Sequence, residues 1–169
     1  RRYPLMVLNT ILGGNTSSRL FMELRERLGL TYYVGSNAEQ YTDTGYLMAA
    51  GGVPHGSLAK VVESMVGIFR ALRTKGPAAS EISFAKEYLR GSMALAFEST
   101  DEVATFLASQ ELFYRKIMTP EEILAKIEKV SKDDIMKVAR DIFRPRNINL
   151  AAIGPQAETQ EYQKILAKL

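Results

Sequence analysis

The chain of 169 residues contains no cysteine and one histidine, His55. The first absence excludes disulfides, thiolate nucleophiles and Cys-based zinc or iron–sulfur sites. The second removes nearly every other ligand set that metalloenzymes use. No apolar run approaches the roughly 20 residues that span a bilayer. The opening Arg1-Arg2-Tyr3-Pro4 lacks the apolar stretch and small-residue cleavage site of a secretory signal. A cytoplasmic location is the expectation, although a cysteine-free chain suits an oxidising space equally well.

A concentrated basic track is also missing. The net charge is +3, but residues 1–36 carry five basic and two acidic side chains, residues 37–110 six and eight, and residues 111–169 eleven and nine. Lys and Arg do not cluster with interleaved aromatics, as a nucleic-acid track would require, so no nucleic-acid partner is expected. What remains is ordinary: 46% hydrophobic and 24% charged residues, enough for one full core. There is no internal repeat and no linker, so residues 1–169 read as a single α+β domain.

Punctuation along the chain sets the expected elements. An apolar helix over residues 5–12 stops at Gly13-Gly14. A second helix starts from possible N-caps within Asn15–Ser18 and runs to about Leu28, with Gly29 just past its end. Strands at Tyr32–Gln40 and Gly45–Gly52, with Tyr41-Thr42-Asp43-Thr44 between, predict an antiparallel hairpin. Helices follow at His55–Lys75, ended by Gly76-Pro77, and at Ser80–Phe97. Ser99 with Glu102 predicts a capping box for a helix over Asp101–Lys116. Thr119-Pro120-Glu121-Glu122 repeats the device with proline first, and Ser131 caps a helix striped by Ile135, Val138, Ile142 and Phe143. A short strand at Ile148–Ile153 and a helix near Thr159–Ala167 complete the expectation.

Few residues suggest chemistry. On a wheel at about 100° per residue, Arg25 falls in the largely apolar arc with Ser18, Phe21, Met22 and Leu28. The charges Arg19, Glu23, Glu26 and Arg27 occupy the other side. A guanidinium that breaks the pattern is functional or paired; in a last turn it also serves the helix dipole. Tyr32 follows seven residues later across the Gly29 turn. Helix, turn and strand can bring the Arg25 guanidinium and the Tyr32 hydroxyl over a common point, whereas Tyr33 faces the other way. The loop Leu12–Ser18 faintly resembles an anion-binding loop but lacks its lysine and spacing. His55 reads as a helix-start residue, and the pairs Glu121-Glu122 and Asp133-Asp134 as first-turn carboxylates that favour the dipole.

The run Leu12-Gly13-Gly14, Ser17-Ser18-Arg19-Leu20-Phe21, Leu24-Arg25-Glu26 and Gly29-Leu30-Thr31-Tyr32 resembles the signature of the second domain in zinc peptidases of the pitrilysin, insulin-degrading enzyme and mitochondrial processing peptidase family. The likeness continues through Tyr41-Thr42-Asp43-Thr44-Gly45, Glu81, Lys86 and Leu89-Arg90-Gly91, and closes at Asn149-Leu150-Ala151-Ala152-Ile153-Gly154-Pro155. It implies a clamshell metalloendopeptidase of two similar halves, each a two-layer domain whose antiparallel or mixed sheet is packed on one side by helices. The first half carries the inverted motif His-x-x-Glu-His and a further Glu, and so holds the zinc. The second binds no metal and gives substrate an Arg and a Tyr at the spacing of Arg25 and Tyr32. Tyr32 would then donate to the substrate carbonyl as charge builds on its oxygen, and Arg25 would orient a neighbouring carbonyl.

With one His and no His-x-x-Glu-His, the chain fits only the second half and is expected to be inactive by itself. The family's domain begins with a strand before its first helix; here that strand is expected to be missing, leaving a sheet edge open. The chain is thus expected to be the later part of a longer polypeptide or to pair with a separate catalytic chain. Its expected partners are a zinc-binding N-terminal domain or subunit, in a homodimer or heterodimer, and a peptide substrate. The alternative is a catalytically silent scaffold or peptide-binding subunit of the same family.

Overall fold

A computed structural model describes residues 1–155 and 159–169. Its elements are α1 (Arg2–Leu12), a π-helix (Phe21–Arg27), β1 (Tyr33–Gln40), β2 (Gly45–Gly52), α2 (Leu58–Thr74), α3 (Ala79–Ala96), α4 (Thr100–Tyr114), α5 (Pro120–Glu128), α6 (Lys132–Ile142) and α7 (Thr159–Leu166). Short 3₁₀ turns lie at His55–Ser57 and Pro145–Asn147.

The core is one contiguous cluster built around α1. Val7, Leu8, Ile11 and Leu12 are buried, as an apolar stripe at helical spacing requires. Val61, Val62, Val66 and Leu72 of α2, Ile123 and Ile127 of α5, and Ile135, Val138 and Ala139 of α6 belong to the same cluster. Phe69 stacks on Phe143, with ring centroids 4.8 Å apart. At the far end of α2, Gly76 takes φ +72°, a left-handed conformation that glycine adopts without a Cβ penalty.

The expected hairpin is present. β1 and β2 pair antiparallel from Tyr33↔Gly52 to Gln40↔Gly45, and the Tyr41 N–H closes the turn on the Thr44 carbonyl at 2.9 Å. Val34, Leu47 and Ala49 face the helices, while Tyr33, Asn37, Tyr46 and Met48 alternate onto the open face. The hairpin is fastened to α1 at one point. The Ser36 N–H donates to the Gly13 carbonyl at 3.0 Å, and the Ser36 hydroxyl donates to Asn9 Oδ1 at 2.7 Å. A Cβ on Gly13 would lie 2.5 Å from the Ser36 nitrogen, so this approach requires glycine.

Two expectations fail. Residues 148–153 form no strand, and Ile153 is fully exposed. An apolar run becomes a strand only beside a neighbour that takes up its N–H and C=O groups. The sheet of the described residues has two strands, which pair with each other. The Ser99–Glu102 capping box is also absent. Ser99 stands at the N-cap of α4, but its side chain accepts no capping hydrogen bond. The expected box at Thr119 closes, and the Ser131 cap closes as a box as well. Thr119 exchanges bonds with Glu122 at 3.3 and 2.9 Å, and Ser131 with Asp134 at 3.2 and 3.1 Å.

Candidate functional site

The chain leaves α1 through a self-bonded turn. Asn15 Oδ1 accepts from the Ser17 N–H at 2.8 Å, Asn15 Nδ2 donates to the Thr10 carbonyl, and the Ser18 hydroxyl donates to the Asn15 carbonyl. The polar groups of the Leu12–Ser18 loop therefore serve the turn itself, so the faint likeness to an anion loop has no structural counterpart. Nor does any Asn15–Ser18 side chain cap the next helix in the expected way; the Ser18 carbonyl instead takes its first bond, from the Met22 N–H at 2.9 Å.

That helix is wound with i→i+5 bonds over Phe21–Arg27, as in the Leu28 N–H donating to the Glu23 carbonyl at 3.0 Å. The apolar arc expected around Arg25 is not the face that the fold buries. The buried line is Ser18, Leu20 and Leu24; Arg25 is exposed and Met22 is half exposed. Arg25 thus breaks no apolar face. Gly29, at φ +61°, reverses the chain, and the Leu30 N–H caps the Leu24 carbonyl at 2.9 Å. This turn delivers Tyr32 back alongside the helix.

Three arginines flank the segment, and their partners differ. Arg19 forms a bidentate pair with Glu81 at 2.7 and 2.8 Å. The Arg19 guanidinium, with the Ala78 N–H adding to it, holds the Glu81 carboxyl below the usual carboxylate range. Arg27 is bound by Glu23 one turn back, and that contact lowers the Glu23 carboxyl in the same way. Arg25 has no carboxylate partner among the described residues. Its Cζ lies over the Phe21 ring at 4.9 Å from the centroid and over the Tyr32 ring at 5.6 Å. Pairing with a carboxylate, one role open to Arg25 from sequence, is therefore not the one it takes.

Tyr32 is 84% exposed and sits just before β1 rather than inside it. Arg25 and Tyr32 are thus brought together on open surface, with their five-donor fork and phenol hydroxyl available to a ligand. Tyr33, the next residue, lays its ring over Gly52 on the open face of the hairpin. Between the turn and Tyr32, Thr31 is buried and its hydroxyl has no hydrogen-bond partner among the described residues.

The other candidates lie elsewhere. His55 stands exposed in a 3₁₀ turn, near Gly154. Glu122 and Asp134 close the caps of α5 and α6, so those acidic pairs perform the first-turn role expected of them. Among the described residues no three His, Cys, Asp or Glu side chains form a group able to hold a metal ion. Sequence reading missed Phe21, whose spacing of four from Arg25 was the available signal. It also missed Gln110, a buried amide that bonds both the N–H and the carbonyl of Met118 at 3.0 Å.

Comparison with known proteins gives a consistent picture. Residues 1–89 match the family model described as the peptidase M16 inactive domain. The chain is 35% identical over 155 residues to the uncharacterized zinc protease YmxG of Bacillus subtilis, covering 92% of this chain and 38% of that protein. Among solved structures, it superposes on a conserved protein of Enterococcus faecalis with a TM-score of 0.74 and 27% identity, over 82% of this chain and 32% of that one. A peptidase M16 inactive domain from Pseudomonas fluorescens has the same fold, with a TM-score of 0.75 at 22% identity over 83% of this chain and 34% of that one. The chain therefore spans about a third of the length of these relatives.

Proposed function

Because the chain belongs to the peptidase M16 family, as its inactive domain, we propose that residues 1–169 form the substrate-gripping half of a two-part zinc metalloendopeptidase. It binds a peptide or unfolded segment inside a closed chamber, completes the site for the reacting carbonyl, and is inactive alone. The observation that carries this reading is the exposed pairing of Arg25 with Tyr32, on a helix end and the turn after it, with no carboxylate among the described residues occupying the guanidinium.

The chemistry follows from where charge develops. When a peptide carbonyl is attacked, negative charge grows on its oxygen, and a phenol hydroxyl placed there donates a hydrogen bond that strengthens in the transition state. That is the role of Tyr32. The planar fork of Arg25 holds an adjacent backbone carbonyl and fixes the peptide's register, which gives orientation rather than bond-making. Among the described residues no group of side chains is able to hold a zinc ion, and in this reading the metal sits in a complementary domain or partner chain. Closure of the two halves then assembles the site.

In the complete peptidase, Tyr32→Phe should lower kcat by about 10²- to 10³-fold, the usual loss for one such donor. Zinc content should stay unchanged. An unaltered kcat would remove Tyr32 from the mechanism and return the chain to the role of a silent, peptide-binding scaffold.

A further inference from the structure

We infer that Phe21 is a positioning residue: its ring holds the Arg25 guanidinium in a fixed pose while leaving every N–H donor free for substrate. The inference rests on the reading of Arg25 as a substrate contact and deepens it. A long exposed arginine loses rotamer freedom whenever it binds, and the affinity it provides falls accordingly. A carboxylate partner would fix the side chain, but it would also occupy the fork, as Glu81 occupies Arg19 and Glu23 occupies Arg27. An aromatic face restrains the guanidinium through its π surface instead, and the donors, which lie in the guanidinium plane, stay open.

Two rings meet Arg25, and they are not equivalent. Tyr32 is 84% exposed and carries the hydroxyl assigned to the substrate. Phe21 has no polar atom, is half-buried, and lies nearer to the guanidinium, at 4.9 Å against 5.6 Å. Its backbone is anchored on either side by Leu20 and Leu24, both fully buried. Phe21 is therefore the fixed wall and Tyr32 the working face. Phe21 stands four residues before Arg25, one helical turn away, so ring and guanidinium share a face of the same segment.

The test combines kinetics with side-chain NMR on the complete peptidase and a peptide substrate. Phe21→Leu, which keeps an apolar side chain, should lower kcat/KM by about 5- to 10-fold, the range of a cation–π contact at a partly desolvated site. Phe21→Tyr and Phe21→Trp should restore it to within about twofold, since each returns a ring face. In an Arg25→Ala background, Phe21→Leu should cost nothing further. The Arg25 Nε–H should be restricted in the wild type relative to the exposed Arg146, and should become equally mobile in Phe21→Leu. An equal Phe21→Leu loss in both backgrounds, or a wild-type Arg25 as mobile as Arg146, overturns the positioning role. An ordered Arg25 whose removal leaves kcat/KM intact instead overturns the substrate reading of Arg25 and, with it, the catalytic purpose of the wall.

Discussion

Helices α4 and α6 are each about half apolar in composition, yet the fold treats them in opposite ways. Eight of the fifteen residues of α4 are apolar, against five of the eleven in α6. In α6, Ile135, Met136, Val138 and Ala139 fall on one face and are buried. In α4 the apolar residues are spread around the axis: Leu107 and Leu112 are exposed, and the only buried residue is the polar Gln110. Burial thus follows periodicity rather than content. The helix starts differ in parallel. The first turn of α6 is closed by Ser131 and Asp134, whereas the N-cap side chain of α4 makes no capping bond.

The contrast is best attacked where the largest effect is expected. Ile135 is fully buried, and Ile135→Ala removes packed volume from the centre of the core, at a cost of about 2–5 kcal/mol in unfolding free energy. Leu112 is 75% exposed, and Leu112→Ala should fall within about 0.5 kcal/mol of the wild type. Denaturant titration of the two variants decides the matter. A large loss at Leu112 would mean that α4 is packed against something in solution, and the comparison would collapse.

Helix α3 lies between these extremes. Its first turn is tied to the body through Glu81, which accepts from Arg19 and from the Ala78 N–H, while Leu95 near its end is exposed. Glu81→Gln should cost about 1–2 kcal/mol at pH 7, between an exposed ion pair and a charge-assisted hydrogen bond. The sign of the pH dependence is fixed by the lowered carboxyl of folded Glu81. A group with a depressed folded pKa contributes stability that is present above its unfolded value and lost as pH falls through the folded one. The gap in Tm between wild type and Glu81→Gln should therefore narrow on acidification from pH 7 to about pH 3. A gap that stays constant would assign the loss to packing.

Most of the fold was legible because its boundaries are written in local chemistry. Gly29 and Gly76 take the left-handed conformations that end their helices, Thr119 and Ser131 cap theirs, and the hairpin register follows from its turn. The failures share a physical cause. Residues 148–153 carry a strand pattern without a neighbour, and the Phe21–Arg27 segment carries a helix pattern wound with a different period. Neither a missing neighbour nor an i→i+5 ladder leaves a mark on composition. The pair Arg25 and Tyr32 follows from the helix, turn and strand between them and gains its role from the spacing of a family motif, whereas the apolar arc around Arg25 leaves out Leu20 and Leu24, which the fold buries. Phe21 was hidden because a phenylalanine at helical spacing ordinarily signals core.

The smallest effect tests the caps. Ser131 Oγ accepts the Asp134 N–H at 3.2 Å and also donates to the Asp134 carboxylate at 2.6 Å, so Ser131→Ala removes both a cap and the main support of a lowered carboxyl. A loss of about 1 kcal/mol is expected, typical of a helix N-cap serine. Ser99 occupies the same position on α4 and makes no such bond, so Ser99→Ala should cost at most a few tenths of a kcal/mol. Equal losses at the two serines would show that the Ser99–Glu102 box closes in solution. Helix α4 would then be tied at its start like α6, and only the spread of its apolar residues would still separate the two.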